Sequence, residues 1–512
     1  NFELARTLGF KVPRSNQLTP HLHDQLITSL SLRAIAPAEN NSQRTSVVSM
    51  YADKYGGDGV SPALGAGRRG FLAGGNLYVK GIGLTPLFRH NDKNDFVHSH
   101  GGVHFEDCLS EAIFGEVNHN LFTLGSTRIV AIIDQGRHVT EPTGRQRPIA
   151  LAVRVGPQLR PGHLLARRAR GSQTPLQMFI QMSRATKQLV SNGVPDVAAT
   201  MLRVIDDHAL AAAESFRWRM IHGALSPSNM ELSGAMLDLP TQSTQPRTAP
   251  ISTLDYLHST FGTEHRERGF YLAEMYRRVL NTTDAPTRER MNARWINVSN
   301  EMDLAYTRHL QVKLLSAAGL KTHVAKRVCA QHHGLARRFT NILLEMAALK
   351  NQGSGCVARK VLEDLAAVDI FNLLRRAPRG YFSGNPRYLK HLRPIFKGNR
   401  FQVANKKEKV ETLTREFAAV YRELMSICSE HKVSIIARAE FENEPIDGLY
   451  CSRLYADINR AIADYKSTGN SEIIRDVVDS RIARSLRSVD GLVAGRGSRF
   501  AILDRQDLKR MI

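Results

Sequence analysis

The feature that most constrains this chain is a change of periodicity near residue 170. From 48 to 165 the sequence is rich in glycine and in short β-type runs: Asn76–Lys80, Thr127–Ile133 and Ile149–Val155. Runs of this kind bounded by glycine turns predict strands. One segment there breaks the pattern, because the apolar residues from Phe105 to Phe114 fall at helical spacing. After 175 the period becomes helical. Pro175–Val190 and Val194–Arg219 predict long amphipathic helices, 238–262 a loop rich in Pro, Thr, Gln and Ser, and 266–350 further helices. A small β-rich unit carrying one helix, followed by a large helical unit, predicts an α+β fold with two lobes.

The chain has 512 residues, too many for one compact core. The expected divisions are an N-terminal extension (1–47), a β-rich N-lobe (48–165), a helical C-lobe (166–374), a basic segment (375–409) and a mainly helical C-terminal region (410–512) with a strand-like run at Val433–Ile436. No run of 18 apolar residues exists, so no membrane-spanning helix is expected. The five cysteines, Cys108, Cys329, Cys356, Cys428 and Cys451, are scattered without a C-x-x-C pair. That argues against a zinc site or a disulfide framework. The formal charge of +22 implies a polyanionic partner, RNA or a ribonucleoprotein in particular, or a basic enzyme surface without one.

Three segments carry chemistry when read in order. In Gly65-Ala66-Gly67-Arg68-Arg69-Gly70, glycines permit close backbone approach to phosphates and arginines supply charge. Lys80 ends a predicted strand and is followed by Gly81-Ile82-Gly83. It suits a phosphate-binding lysine, with Glu106 on the next predicted helix as the carboxylate expected to hold it. In His222-Gly223-Ala224-Leu225-Ser226-Pro227-Ser228-Asn229, followed by Asp238, Asn229 and Asp238 are hard oxygen donors suited to magnesium. Each segment alone also fits an ordinary turn or a solvated charge. Their order is that of a protein-kinase-like bilobal fold, without the H-R-D and D-F-G words of protein kinases.

The wording of these segments resembles the selenoprotein O family. Lys80 to Arg89 resembles its L-K-G-x-G-x-T-P-Y-S-R, Ser110-Glu111-Ala112 its S-E-A, and Gly125-Ser126-Thr127-Arg128 its G-I-P-T-T-R. His222 to Asp238 resembles H-G-V-M-N-T-D-N-M-S-x-x-G-x-x-x-D. The likeness runs from about 51 to 240. It implies a kinase-like protein adenylyltransferase that transfers AMP from ATP to Ser, Thr or Tyr hydroxyls. By position, Gly65, Gly67, Arg68, Lys80, Asp92, Arg154 and Arg160 would contact ATP, Glu106 would hold Lys80, and Asn229 and Asp238 would hold Mg2+ or Mn2+.

The family's general-base Asp is replaced by Ser228. A serine does not take a proton usefully at neutral pH, so the resemblance implies nucleotide binding with impaired transfer, Glu231 being a candidate substitute base. The alternative is an inactive pseudoenzyme acting as a structural or assembly component of a mitochondrial ribonucleoprotein such as the mitoribosome. The family's eukaryotic members imply the mitochondrial matrix; a bacterial cytoplasm is the other expectation. From Arg375 to Lys409, eleven Lys/Arg face one acid, Glu408, with Tyr381, Phe382, Tyr388, Phe396 and Phe401 between them. Arg375, Arg376, Arg379, Arg387, Lys390, Arg393, Lys397 and Arg400 are therefore nucleic-acid candidates on an irregular strand-and-loop stretch.

Overall fold

The computed structural model describes residues 1–30, 51–52, 67–70, 76–83, 100–155, 158–165, 173–193, 195–244, 261–281, 296–348, 369–384, 404–428, 431–443, 446, 449–487 and 502–504. The fold is mixed α+β and mostly helical. Its strands are β1 (Tyr51–Ala52), β2 (Gly67–Gly70), β3 (Asn76–Lys80), β4 (Val103–His104), β5 (Arg128–Thr140), β6 (Gln146–Val155), β7 (Met220–Ile221), β8 (Ser243–Thr244) and β9 (Ile502–Asp504). The main sheet runs β1-β2-β3-β6-β5-β9, with β4 also paired to β6. All its pairings are antiparallel except β5 with β9. The three strands expected from the sequence are β3, β5 and β6.

Alternation decides what each sheet face carries. Leu77, Val79, Leu151 and Val153 point to one face. It is covered by α1 (Phe2–Thr7) and α2 (Pro20–Leu30), which bury Phe2, Leu4, Leu22, Leu26 and Ile27 against it. The segment expected to be an N-terminal extension is thus part of the sheet's own core. Tyr78, Lys80, Ala152 and Arg154 take the opposite face, since Tyr78 pairs with Arg154 and Lys80 with Ala152.

Against that second face lies α3 (Phe105–Leu121), buried along nearly its whole circumference. Gly115 permits the approach: a Cβ there would sit 2.8 Å from the Thr127 carbonyl oxygen. The other side of α3 is covered by α14 (Cys451–Thr468) and α15 (Glu472–Arg487), through Leu454, Ile458, Ile474 and Val478. Lys466 and Tyr465 both bond to Asp134 of β5, the tyrosine at 3.2 Å.

The remaining helices are α4 (Pro161–Leu165), α5 (Pro175–Ala185), α6 (Val197–Arg217), α7 (Glu264–Asn281), α8 (Val298–Ala317), α9 (Thr322–Gln331), α10 (His333–Ala348), α11 (Ile370–Phe382), α12 (Ala404–Ser426) and α13 (Lys432–Glu442). They share a third, larger apolar core. Local signals set several starts. Thr174 and Gln177 form a reciprocal capping box on α5, and Asp196 caps α6 through Ala199 N at 2.9 Å.

Two expectations are corrected. The strand-like run 433–436 lies in helix α13, where Ile435 and Ala439 are buried one turn apart and Val433 is exposed. The longer helical stripe overrides the β-preference of four residues. The start of the basic segment is also not irregular. Residues 375–382 belong to α11, which runs through Pro378 because burial of Ile370, Phe371, Leu374 and Ala377 outweighs one missing backbone hydrogen bond. Its far end, 404–409, opens helix α12.

Ile458 is fully buried where α14 meets α3. Ile458→Ala should destabilise the fold by about 2–5 kcal/mol and Ile458→Val by about 0.5–1.5 kcal/mol. Urea unfolding of both variants, compared with the parent protein, measures this.

Candidate nucleotide-binding site

Two pieces of irregular chain are brought to the second sheet face by strand pairing. The first is the turn after β3. Gly81, at φ 94°, passes so close to β6 that a Cβ would lie 2.6 Å from the Ala150 carbonyl oxygen. The second is the loop 222–242, whose ends are pinned by the β7–β8 pair: Met220 with Thr244 and Ile221 with Ser243. Further bonds tie this loop to the sheet and to α3. Thr127 N donates to Met236 O at 2.8 Å, and Asn118 donates to the Gln242 side chain at 2.7 Å. These contacts deliver Asp238 to Lys80 and Arg154.

The geometry around Asp238 is compact. Its Oδ1 accepts from Lys80 Nζ at 2.5 Å and from Arg154 Nη2 at 2.9 Å. The same Arg154 Nη2 donates to Glu111 Oε2 at 2.5 Å. Arg154 and Glu111 are wholly buried, whereas the side chains of Lys80 and Asp238 keep 9% and 20% exposure, so the chain of charges leads from the interior to an opening. Tyr78 is flanked by both arginines, with guanidinium carbons 5.8 Å (Arg154) and 5.6 Å (Arg160) from its ring centre. Burial pushes the Asp238 carboxyl up, but Lys80, Arg154 and Arg160 together pull it well below the usual range. Burial opposes the charge of Arg154, and Glu111 and Asp238 outweigh it, raising its pKa. Asp238 also adopts φ 61°, a left-handed conformation uncommon outside glycine.

Arg160 donates to the backbone oxygen of Ser228 and so ties the region after β6 to the loop. Ser228 is buried; its N donates to Ser226 Oγ at 3.2 Å. Asn229 donates Nδ2 to Ala224 O at 2.9 Å, which leaves its carbonyl oxygen as the atom able to meet a cation. His222 N donates to Glu264 at 2.5 Å, and its Nε2 lies 2.7 Å from Leu237 O. Because a carbonyl only accepts, Nε2 carries the proton. Burial lowers the His222 pKa and favours this neutral ring, a structural brace for the loop.

Lys80, Arg154, Arg160 and Asp238 are thus brought together, and Arg160 ties the Ser228–Asn229 turn to them through the Ser228 carbonyl oxygen. Glu106 is not with them. It binds Arg147, whose Nε and Nη2 both reach its Oε1, and Lys80 is held by Asp238 instead. The reason lies in the helix: Glu106 opens α3 beside the start of β6, where the fork of Arg147 meets it. Glu231, the candidate substitute base, has its Oε2 turned back onto Ser233 N at 3.0 Å, and burial raises its pKa. Gly67 and Arg68 lie in β2, paired with Val79 and Tyr78. Gly65, Asp92, Arg387, Lys390, Arg393, Lys397 and Arg400 lie outside the described residues. Of the other basic candidates, Arg376 and Arg379 are exposed on α11, Arg375 is half-buried, and Arg379 pairs with Glu440.

Sequence reasoning missed Glu111, Tyr78 and Arg147. The first two had a usable signal. Tyr78 is two residues before Lys80 on a strand, hence on its face, and Glu111 sits in the Ser-Glu-Ala word itself.

The donor set fits a hard divalent cation carried by a phosphate ligand. Such an ion needs only one or two protein oxygens, and Asn229 and Asp238 supply that chemistry. Among the described residues no group of three or more His, Cys, Asp or Glu side chains forms a self-sufficient metal cage. Compared with protein-family models and with curated proteins, the chain matches none.

Asp238 gives a pH prediction. Its folded pKa is depressed, so its stabilising contribution is present above the unfolded value, near pH 4, and is lost as pH falls through the lower folded value. Urea unfolding from pH 7 to pH 2 should show a loss of stability below about pH 4, and Asp238→Asn should remove part of that acid-dependent loss.

Proposed function

We propose that this chain is a divergent relative of the selenoprotein O family, with a kinase-like bilobal arrangement, that binds ATP with a divalent cation at Asp238 and transfers AMP poorly. The observation that carries this reading is the Asp238 carboxylate held between Lys80 and Arg154 at a partly open position. Two cations on one carboxylate oxygen are an arrangement that a phosphate ligand with its own metal can take over. Lys80, Arg154 and Arg160 would turn to phosphate oxygens, while Asp238 and Asn229 would hold the ion. The ion would supply charge neutralisation on the phosphates.

In AMP transfer a protein hydroxyl oxygen attacks the α-phosphorus. The bond from that phosphorus to the bridging oxygen breaks, pyrophosphate leaves, and the hydroxyl proton passes to a base. The family's base is replaced by Ser228. Ser228 has no carboxylate hydrogen-bonded to it among the described residues, and Glu231 is engaged with Ser233. This feature favours a second reading, a nucleotide-binding shell retained as an assembly or structural component of a mitochondrial ribonucleoprotein.

Two measurements separate these readings. Calorimetry should show ATP binding that depends on Mg2+ or Mn2+ and is lost in Lys80→Met; no binding by the parent protein would overturn both. With α-labelled ATP, the parent protein should label protein hydroxyls weakly, and Ser228→Asp should raise the rate by about 10²-fold or more. Binding without labelling in either protein would leave the second reading standing and sink the first.

A further inference from the structure

We propose that the outward faces of α9 and α10 form a binding surface for the sugar-phosphate backbone of base-paired RNA, separate from the nucleotide site. The surface rests on a property of sequence and fold together. From Leu304 to Leu344 the chain contains no Asp or Glu. Helix α9 and the first twelve residues of α10 occupy the second half of that stretch; Glu345, the one acid of α10, follows near its end and pairs with Lys409 of α12 at 3.9 Å. Both helices turn their apolar residues into the same core: Val324, Ala325 and Val328 from one, Leu335, Ala336 and Phe339 from the other. Each helix therefore leaves its polar residues on the outside of that core, and the two helices are only one residue apart in the chain.

Lys326 and Arg327 on α9 and Arg337 and Arg338 on α10 are exposed there, with the exposed Gln331 and His332 between them in the chain. Arg338 meets Glu423 of α12 at 3.2 Å, an exposed pair that contributes little. Among the described residues, Lys326, Arg327 and Arg337 have no ion-pair partner. Because no carboxylate is interleaved with them, these cations are left for an external anion, and the +22 charge of the chain raises the local concentration of such a partner.

The composition of the face narrows the partner. It exposes no large apolar side chain, so it lacks what a helix needs to lie in a lipid interface. The two helices contain no Tyr or Trp, and their one phenylalanine, Phe339, is fully buried, so there is no broad platform on which unpaired bases could stack. What remains is an array of donors, Lys, Arg, Gln and His, suited to phosphates and 2′-hydroxyls across a paired helix.

The test uses the full chain and a base-paired RNA hairpin, with binding measured by fluorescence anisotropy at several salt concentrations. The triple variant Lys326→Gln, Arg327→Gln, Arg337→Gln should bind about tenfold more weakly or worse. Its slope of log affinity against log salt should flatten by about two to three, at about 0.9 per duplex phosphate contact. The charge-keeping variant Lys326→Arg, Arg327→Lys, Arg337→Lys should bind like the parent. A charge-matched control, Arg137→Gln, Arg145→Gln, Arg277→Gln, removes three exposed cations elsewhere and should bind nearly normally. The proposal is overturned if the first variant binds like the parent or if the control loses as much. It is equally overturned if the face retains anionic vesicles or an acidic peptide but not the hairpin. ATP binding by the same variants should be unchanged, which separates failure here from failure of the nucleotide site.

Discussion

The fully buried guanidinium of Arg154 is the constraint on which the rest of the structure turns. A charge removed from water is strongly destabilising unless it is paired and hydrogen-bonded. Arg154 sits in a central strand, so its partners must come from elements laid over the sheet. Glu111 comes from α3 and Asp238 from the loop between β7 and β8. One side chain thus requires a strand, a helix and a long loop to meet at one point. The arrangement is incomplete in an informative way: among the described residues, the buried Nε and Nη1 of Arg154 have no hydrogen-bond partner. Such unused donors cost stability.

Meeting that constraint explains the layers around it. A helix carrying Glu106, Glu111 and Glu116 buried on different sides cannot lie on a surface with one face in water. Each carboxylate has its own arginine, Arg147, Arg154 and Arg128 respectively, all three from β5 or β6. The helix is therefore fastened to the sheet by ion pairs along its length and covered from outside by α14 and α15. The chain's two ends close the sheet from opposite sides, α1 and α2 on one face and α14 and α15 beyond α3 on the other. Divisions drawn along the sequence consequently do not match the packing. Residues 410–425 and Ile435 belong to the large helical core, and 446–486 belong with the sheet.

The legible parts of the fold are those where a local period decides. Strands β3, β5 and β6, helix α3 and the long helices after 175 follow from spacing alone. The parts that sequence misplaced are decided by tertiary burial. Val433–Ile436 has β-type residues yet is helical: Ile435 and Ala439 are buried while Ala437 between them is exposed, a pattern that fits a helical turn and not the two-residue alternation of a strand. Pro378 reads as a helix breaker, yet α11 contains it, because a buried apolar stripe surrounds it. The site shows the same division. Lys80, Asn229 and Asp238 were legible from order and spacing, whereas Arg154 and Arg160 entered only through the family resemblance. The pairing of carboxylates with cations was not, because Glu106 and Glu111 are both on α3 and only the register of β6 assigns Arg147 to one and Arg154 to the other.

That assignment bears on what the site can do. If Glu106 fixed Lys80, the lysine would be committed to the sheet, and Asp238 would face the opening with Arg154 alone. Here Lys80 is on Asp238, and Glu106 is satisfied by a different cation. Three cations, Lys80, Arg154 and Arg160, stand against two carboxylates, Asp238 and Glu111, which leaves a surplus of one positive charge around a partly open carboxylate. A divalent ion alone would add to that surplus and compete with Lys80 for Asp238. A phosphate-bound ion would not, because its ligand's negative charge draws Lys80 and Arg154 off the carboxylate as the metal arrives. On the proposed reading, this balance of charge would favour joint binding of nucleotide and metal over binding of either alone, without requiring any base at Ser228.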